Sequence, residues 1–169
     1  MRGVRTFALQ LLCVALPAVP ALARAQGAAD ASPHGEVRAD AIVDGQGTVL
    51  QVSAGIQIPV GYYTRIGVVA GVGSSAAART GEGRQLSARV DVVGRFLIDP
   101  FRQTRWGLSV GAGVSLRAEA GRAVRPFLVA VADLEGPRSA GGVSPAIQLG
   151  LGGGIRLGMA LRWGERGAR

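Results

Sequence analysis

The chemistry-bearing residues of this chain fall at alternate positions. Glu36, Arg38 and Asp40 alternate along one stretch, Arg89, Asp91 and Arg95 share one parity in another, and Arg65, Arg117, Arg156 and Arg162 hold equivalent places in further alternating runs. Residues two apart stand on one face of a β-strand, whereas a helix would scatter them. Rows of this kind can pair with one another or line a narrow path for ions. They do not make a catalytic site unaided, because acid–base and nucleophilic catalysis need a base held by the scaffold. The one histidine, His34, lies in a segment read as a linker, and the chain has no asparagine, so a Ser-His-Asn site is ruled out. One His, and one Cys that the mature chain loses, are too few nitrogen and sulfur ligands for zinc. The run Leu149-Gly150-Leu151-Gly152-Gly153-Gly154 is superficially like a dinucleotide loop, but no amphipathic helix follows and Ile155 stands where the third glycine belongs. The reading is a protein that is not an enzyme and carries no cofactor or metal.

What must position those charges is a set of strands, for which Trp106 to Arg117, WGLSVGAGVSLR, is the template. Trp106, Leu108, Val110, Ala112, Val114 and Leu116 form an apolar face, and Gly107, Ser109, Gly111, Gly113, Ser115 and Arg117 a small or polar one. A strand between lipid and a cramped polar interior needs this division. The first strand sets Val37, Ala39, Ala41 and Val43 against Glu36, Arg38 and Asp40, and a turn at Asp44-Gly45-Gln46-Gly47 ends it. The second runs to Val60, with Leu50, Val52, Ala54, Ile56 and Ile58 opposite Gln51, Ser53, Gly55 and Gln57. The third is Thr64 to Gly73, followed by a loop from Ser74 to Arg84; the fourth is Leu86 to Ile98, broken by Asp99-Pro100. After the template come a loop, Ala118 to Ala123, and a sixth strand, Val124 to Leu134, whose two faces are both apolar and whose parity is therefore open.

From Ile147 to Trp163 the odd positions keep one parity, and as a single strand this run would reach about 56 Å at roughly 3.3 Å per residue. A membrane strand needs 9 to 11 residues. A three-residue hairpin at Gly152-Gly153-Gly154 preserves facing parity and divides the run into strands seven and eight; one long strand and a total of seven is the alternative. Eight strands place Tyr62, Tyr63, Phe96, Phe101, Trp106 and Trp163 at one end, as an interfacial aromatic girdle requires, and leave Phe127 at the other. The connection from Gly136 to Ser144 is long for that end.

Residues 1–25 read as a secretory signal: Arg2 and Arg5, an apolar run from Phe7 to Val19, and small-x-small cleavage sites ending at Ala23 or Ala25. Cys13 leaves with it, and Leu12 before Cys13 is not the small residue of a lipoprotein site. Cleavage after Ala25 lowers the net charge from +8 to +5. All 19 basic residues are Arg and none forms a run or stands beside a stacking platform, so nucleic acid is not an expected partner. Residues 26–34 are then a linker, 35–163 the β-domain and 164–169 a tail.

This pattern resembles the small bacterial outer-membrane β-barrel family that includes the OmpA membrane domain and OmpX. The signal, the alternating strands and the ending Ile155-x-Leu157-x-Met159-x-Leu161-x-Trp163 carry the resemblance; the tail Gly164 to Arg169 departs from it, since in many members the aromatic is the last residue. The resemblance implies an all-β, transmembrane, antiparallel up-and-down barrel of eight strands in the outer membrane. It implies as partners the outer-membrane lipids and, through the last strand, the barrel-assembly machinery, with the chain a monomer.

For function this leaves a structural or surface-interacting barrel whose lumen is filled by the charges named above. A narrow anion path is the alternative at the same residues, because three acids against seven arginines leave a positive surplus. The outer loops carry Arg79, Glu82, Arg84, Glu119 and Arg122, which can meet lipid phosphates or a partner. A soluble lipocalin-like binder is the second class: it would turn its apolar face inward and expose the Gly, Ser and Ala face.

Overall fold

The computed structural model describes residues 32–45, 47–77, 84–101, 103–120 and 122–164. The signal segment 1–25, most of the linker, and Arg79 and Glu82 lie outside the described residues. Eight strands follow in chain order: β1 (His34–Asp44), β2 (Gly47–Pro59), β3 (Thr64–Ala77), β4 (Gln85–Leu97), β5 (Gly107–Glu119), β6 (Arg125–Glu135), β7 (Val143–Leu151) and β8 (Ile155–Trp163). Each pairs antiparallel with its sequence neighbours, and β1 pairs with β8, so the sheet closes into a barrel. Closure leaves no strand edge unpaired, which a sheet in lipid requires.

Period two decides which way each residue points. β8 alternates exposed and buried from Ile155 to Trp163, with Arg156 and Arg162 buried and Leu157, Met159 and Leu161 outward. The same division holds for the template strand, where Ser109 and Ser115 are buried while Leu108, Val110, Val114 and Leu116 are exposed. The barrel is thus inside out relative to a water-soluble one. Its outer wall carries the large aliphatic side chains, and its interior holds charged and amide groups beside a few valines, among them the cluster Val93, Val129 and Val131.

The run from Ile147 is two strands. Leu151 pairs with Ile155 across Gly152, Gly153 and Gly154, all at positive φ (134°, 68° and 135°), where side chains are rarely tolerated. At the first turn, the Asp44 side chain accepts a hydrogen bond from the Gly47 amide at 2.9 Å.

Several boundaries move outward from those expected. Ser74 to Ala77 belong to β3, pairing through Ser74↔Leu86 and Ser75↔Gln85, and Ala118 and Glu119 extend β5. Small and polar residues read as loop because they lack an apolar partner in sequence, yet backbone pairing continues through them. β1 starts at His34, the last residue assigned to the linker, and β7 starts at Val143, so the connection from β6 covers only residues 136–142. β6 resolves its open parity by turning Phe127, Val129, Val131, Asp133 and Glu135 inward and Leu128 outward.

We call the end holding His34 and Trp163 the near end and that of the Gly152–Gly154 hairpin the far end. Tyr62, Tyr63, Phe96, Phe101, Trp106 and Trp163 all belong to the near end and are exposed. Tyr63 stacks on Phe96 with centroids 5.7 Å apart, and Phe101 lies 6.2 Å from Tyr62 and 6.3 Å from Tyr63. Phe127 is at the far end, against Gly153.

Candidate functional site

The candidate site is the charged interior, into which the barrel brings all ten charges expected there. Glu36, Arg38, Asp40, Arg89, Asp91, Arg95, Arg156 and Arg162 are buried, while Arg65 and Arg117 keep 16% and 11% of their side chains exposed at opposite ends. Cross-strand pairing alone would not hold them: Arg65 faces Arg95, and Arg89 faces Arg117, pairs of like charge that repel. Each guanidinium instead reaches an acid on another strand or two residues along its own.

In the near half the acids are Glu36, Asp133 and Glu135. Glu36 Oε2 accepts from Arg162 Nε at 2.7 Å and from the Gln57 side-chain amide. Asp133 accepts from Arg95 Nε and Arg162 Nη2, both at 2.9 Å, and from Gln148 Nε2 at 2.6 Å. Glu135 pairs with Arg162 at 3.5 Å and Arg65 at 3.9 Å. In the far half Asp91 is shared by three cations: Arg89 Nε at 2.6 Å, Arg38 Nη2 at 2.9 Å and Arg156 Nη1 at 2.9 Å. Arg38 also donates from Nε to Asp40 at 2.7 Å and from Nη1 to Gln148 at 3.0 Å, which ties the two halves together.

At the far mouth Arg117 is held by Glu119 on its own strand and by Asp44 of β1 at 3.1 Å, and Arg122 reaches Glu119 at 2.7 Å. Above them opens a pocket of about 310 Å³ lined by Asp44, Arg117, Glu119, Arg125 and Phe127, with Gly153 on its edge.

The expected positive surplus is corrected here. Asp133 and Glu135 were absent from the inward list because β6 showed no parity, and Asp44 and Glu119 were placed in a turn and a loop. All four carboxylates pair with inward arginines. They bring the acids of lumen and mouth level with the seven arginines read from the sequence. Counted without the mouth, six arginines face Glu36, Asp40, Asp91, Asp133 and Glu135, so the surplus in the lumen is one positive charge and much smaller than expected. A signal for the missed pair was present: Val131, Asp133 and Glu135 share one parity, and a charge pair at the end of an apolar strand identifies its inner face.

An eight-strand barrel is just wide enough for side chains to fill it. Here the filling is long arginines crossing the lumen, such as Arg38 between β1 and β4 and Arg162 between β8 and β6. Isolated buried charges would be too costly to keep, so the network must be extensively paired if it is there at all.

Comparison with solved structures places this geometry among known barrels. The crystal structure of Neisserial surface protein A superposes with a TM-score of 0.60 at 9% identity, covering 81% of this chain and 98% of that one. A de novo designed transmembrane β-barrel is similar at a TM-score of 0.50 and 13% identity, over 79% of this chain and 95% of the design. Ail, the attachment invasion locus protein of Yersinia pestis, matches at a TM-score of 0.44 and 11% identity, over 79% of this chain and 95% of that protein. No protein-family model and no curated protein sequence matches the chain. The fold is that of the small eight-strand outer-membrane β-barrels.

Proposed function

We propose that this protein is an integral outer-membrane barrel that acts as a scaffold or through its outer face, with a lumen plugged by its own side chains. The observation that carries the reading is the division of the wall: charged groups paired inside, and an outer surface on which Leu50, Val72, Leu128, Leu149, Leu157 and Met159 are all more than half exposed. A water-soluble barrel with this wall would present an apolar belt far larger than monomers tolerate. The near-end aromatics sit where an interfacial girdle would, and on this reading that end, where β1 begins and β8 ends, is the periplasmic one and the far mouth the outer one.

On this reading the outer-membrane lipids contact the wall, and β8, running from Ile155 to Trp163 with outward apolar residues at every second place, is the strand offered to the assembly machinery. The filled interior argues against a general pore, and the closely paired near half against a conducting anion path. A role at the outer face falls to the far mouth, where Asp44, Arg117, Glu119 and Arg125 surround the pocket.

Two measurements test the proposal. Fractionation should recover the protein in membranes, released only by detergent; recovery in the soluble fraction without detergent would return the lipocalin-like reading. Refolded protein in a planar bilayer should give no large, stable openings. Porin-like conductance would overturn the plugged lumen, and small anion-preferring events would restore the channel.

A further inference from the structure

Through the lumen and mouth eight arginines face seven acids, and the excess is not spread evenly along the barrel axis. The near half sets Arg65, Arg95 and Arg162 against Glu36, Asp133 and Glu135. The mouth sets Arg117 and Arg122 against Asp44 and Glu119. Between them, Arg38, Arg89 and Arg156 share Asp40 and Asp91, and Arg38 also lies 3.6 Å from Glu36, an acid already matched by the near-half arginines. One buried positive charge is left over at this level. Arginine does not shed its proton to relieve such a surplus, because the guanidinium stays protonated in proteins.

Unused donors occur on Arg95 in the near half as well, but only at this level do they coincide with the surplus. Arg156 and Arg89 are 1% and 4% exposed, and both point at the same carboxylate: Arg156 Nη1 meets Asp91 Oδ2, and Arg89 Nε meets Asp91 Oδ1. Arg156 Nε and Nη2 and Arg89 Nη2 are buried and donate to no protein acceptor. Two guanidiniums converging on one carboxylate, with three spare N–H-bearing nitrogens, make a cradle for a negative charge. The buried Ser115 hydroxyl is also without a partner and stands on β5 directly across from Asp91. A neighbouring strand position, Gly150, faces Arg156 without a side chain of its own. Arg89 pairs in register with Arg117, which lines the pocket of the far mouth, so the cradle lies toward that opening.

We infer that the far half of the lumen holds one small monovalent anion, of the halide class, bound between Arg89 and Arg156 beside Asp91. A halide suits the cradle because it accepts several N–H donors from any direction and carries the single charge that is missing. A phosphate or sulfate would bring a second negative charge into a site that already contains Asp91 and Asp40. The anion is a structural part of the plug, distinct from a conducted ion, because the paired near half closes the path beyond it.

The test uses the refolded wild-type barrel. Crystals soaked in bromide should show an anomalous peak within hydrogen-bonding reach of the Arg89 and Arg156 guanidiniums. Bromide peaks confined to the surface, or oxygen-like density without anomalous signal at this place, would overturn the inference. In solution at constant ionic strength, the unfolding midpoint should rise with chloride when chloride replaces gluconate, which is too large to enter. Arg156→Gln removes the surplus charge and leaves two arginines with two acids, so the variant should lose that dependence while still folding. A wild-type midpoint indifferent to the exchange, or an equal dependence in the variant, would overturn the site.

Discussion

Arg95 and Asp133 meet at 2.9 Å, Nε to Oδ2, although β5 lies between their strands. The residue they pass over is Gly111, paired with Arg95 on one side and Val131 on the other. A Cβ there would stand 3.0 Å from Arg95 Cγ and 3.1 Å from Val131 Cγ2. The glycines of the inner face are therefore the corridor through which long side chains from β4 and β6 reach each other. Gly67 serves Arg95 in the same way from β3, since a Cβ there would lie 2.7 Å from Nη1.

Asp133 is the acid on which the near half converges, with Arg95, Arg162 and Gln148 all donating to it. Asp133→Ala should cost about 3–5 kcal/mol of unfolding free energy, because it leaves buried guanidiniums short of a counter-charge. Asp133→Asn, which keeps acceptors but not charge, should cost less. Denaturant unfolding in lipid vesicles, followed by fluorescence of Trp106 and Trp163, measures both. An Ala variant with the wild-type midpoint would mean the network adds nothing to stability.

Gly94 and Gly113 are neighbours on adjoining strands that face opposite ways, and they should respond differently to a methyl group. At Gly94, on the outer wall, the nearest atom to an added Cβ is the Ala112 carbonyl oxygen at 3.8 Å. At Gly113 the Cβ would run into the Val92 carbonyl oxygen and come 2.8 Å from Val93 Cα. Gly94→Ala should be neutral or stabilise by up to about 1 kcal/mol through the unfolded chain. Gly113→Ala should lose about 1–3 kcal/mol by overpacking. Equal midpoints for the two variants would refute the close approach of the β4 backbone to Gly113.

Alternation made most of this fold legible, and it failed where both faces of a strand are apolar or both are small. In β6, Leu128, Ala130 and Ala132 look outward and Val129 and Val131 inward, so hydropathy does not separate the faces. The acids at its end then have no side assigned by parity, and the positive surplus reads larger than it is. In β3, Ser74 to Ala77 carry no contrast at all, and only their backbone pairing, with β2 throughout and with β4 at Ser74 and Ser75, shows them to be strand. The arginine rows were readable because parity is local. Which acid each arginine meets was not, because Arg38 to Asp91 or Arg162 to Asp133 depends on the curvature that brings non-adjacent strands together.

Trp163 and Trp106 both belong to the near-end aromatics, but only Trp163 lies on the seam that closes the barrel. It pairs with Gly35 of β1, where a Cβ would come 2.6 Å from the indole Nε1, and it is the last residue of β8. Trp163→Ala should lower the yield of inserted barrel in cells more than Trp106→Ala does, since it removes the terminal residue of the strand proposed for assembly as well as one girdle ring. Immunoblots of folded protein in the membrane fraction read the yield. Equal losses would leave Trp163 only its interfacial role.

The membrane reading can be tested at a single outward position. Met159 lies midway along β8, is 69% exposed, and stands on the wall with Leu157 and Leu161, away from every charge in the lumen. In lipid, an arginine at the midplane of a barrel wall costs about 2–4 kcal/mol, falling to about 0–1 near the interfaces. On a soluble barrel the same exposed substitution would fall within about 0.5 kcal/mol of neutral. Met159→Arg should therefore destabilise the folded protein by about 2–4 kcal/mol in vesicles. Val43→Arg, near the far end of β1 and also exposed, should cost far less. Reversible unfolding of the three proteins in one lipid gives the comparison. A flat response to depth would remove the lipid from around the wall and, with it, the placement of the far mouth outside the cell.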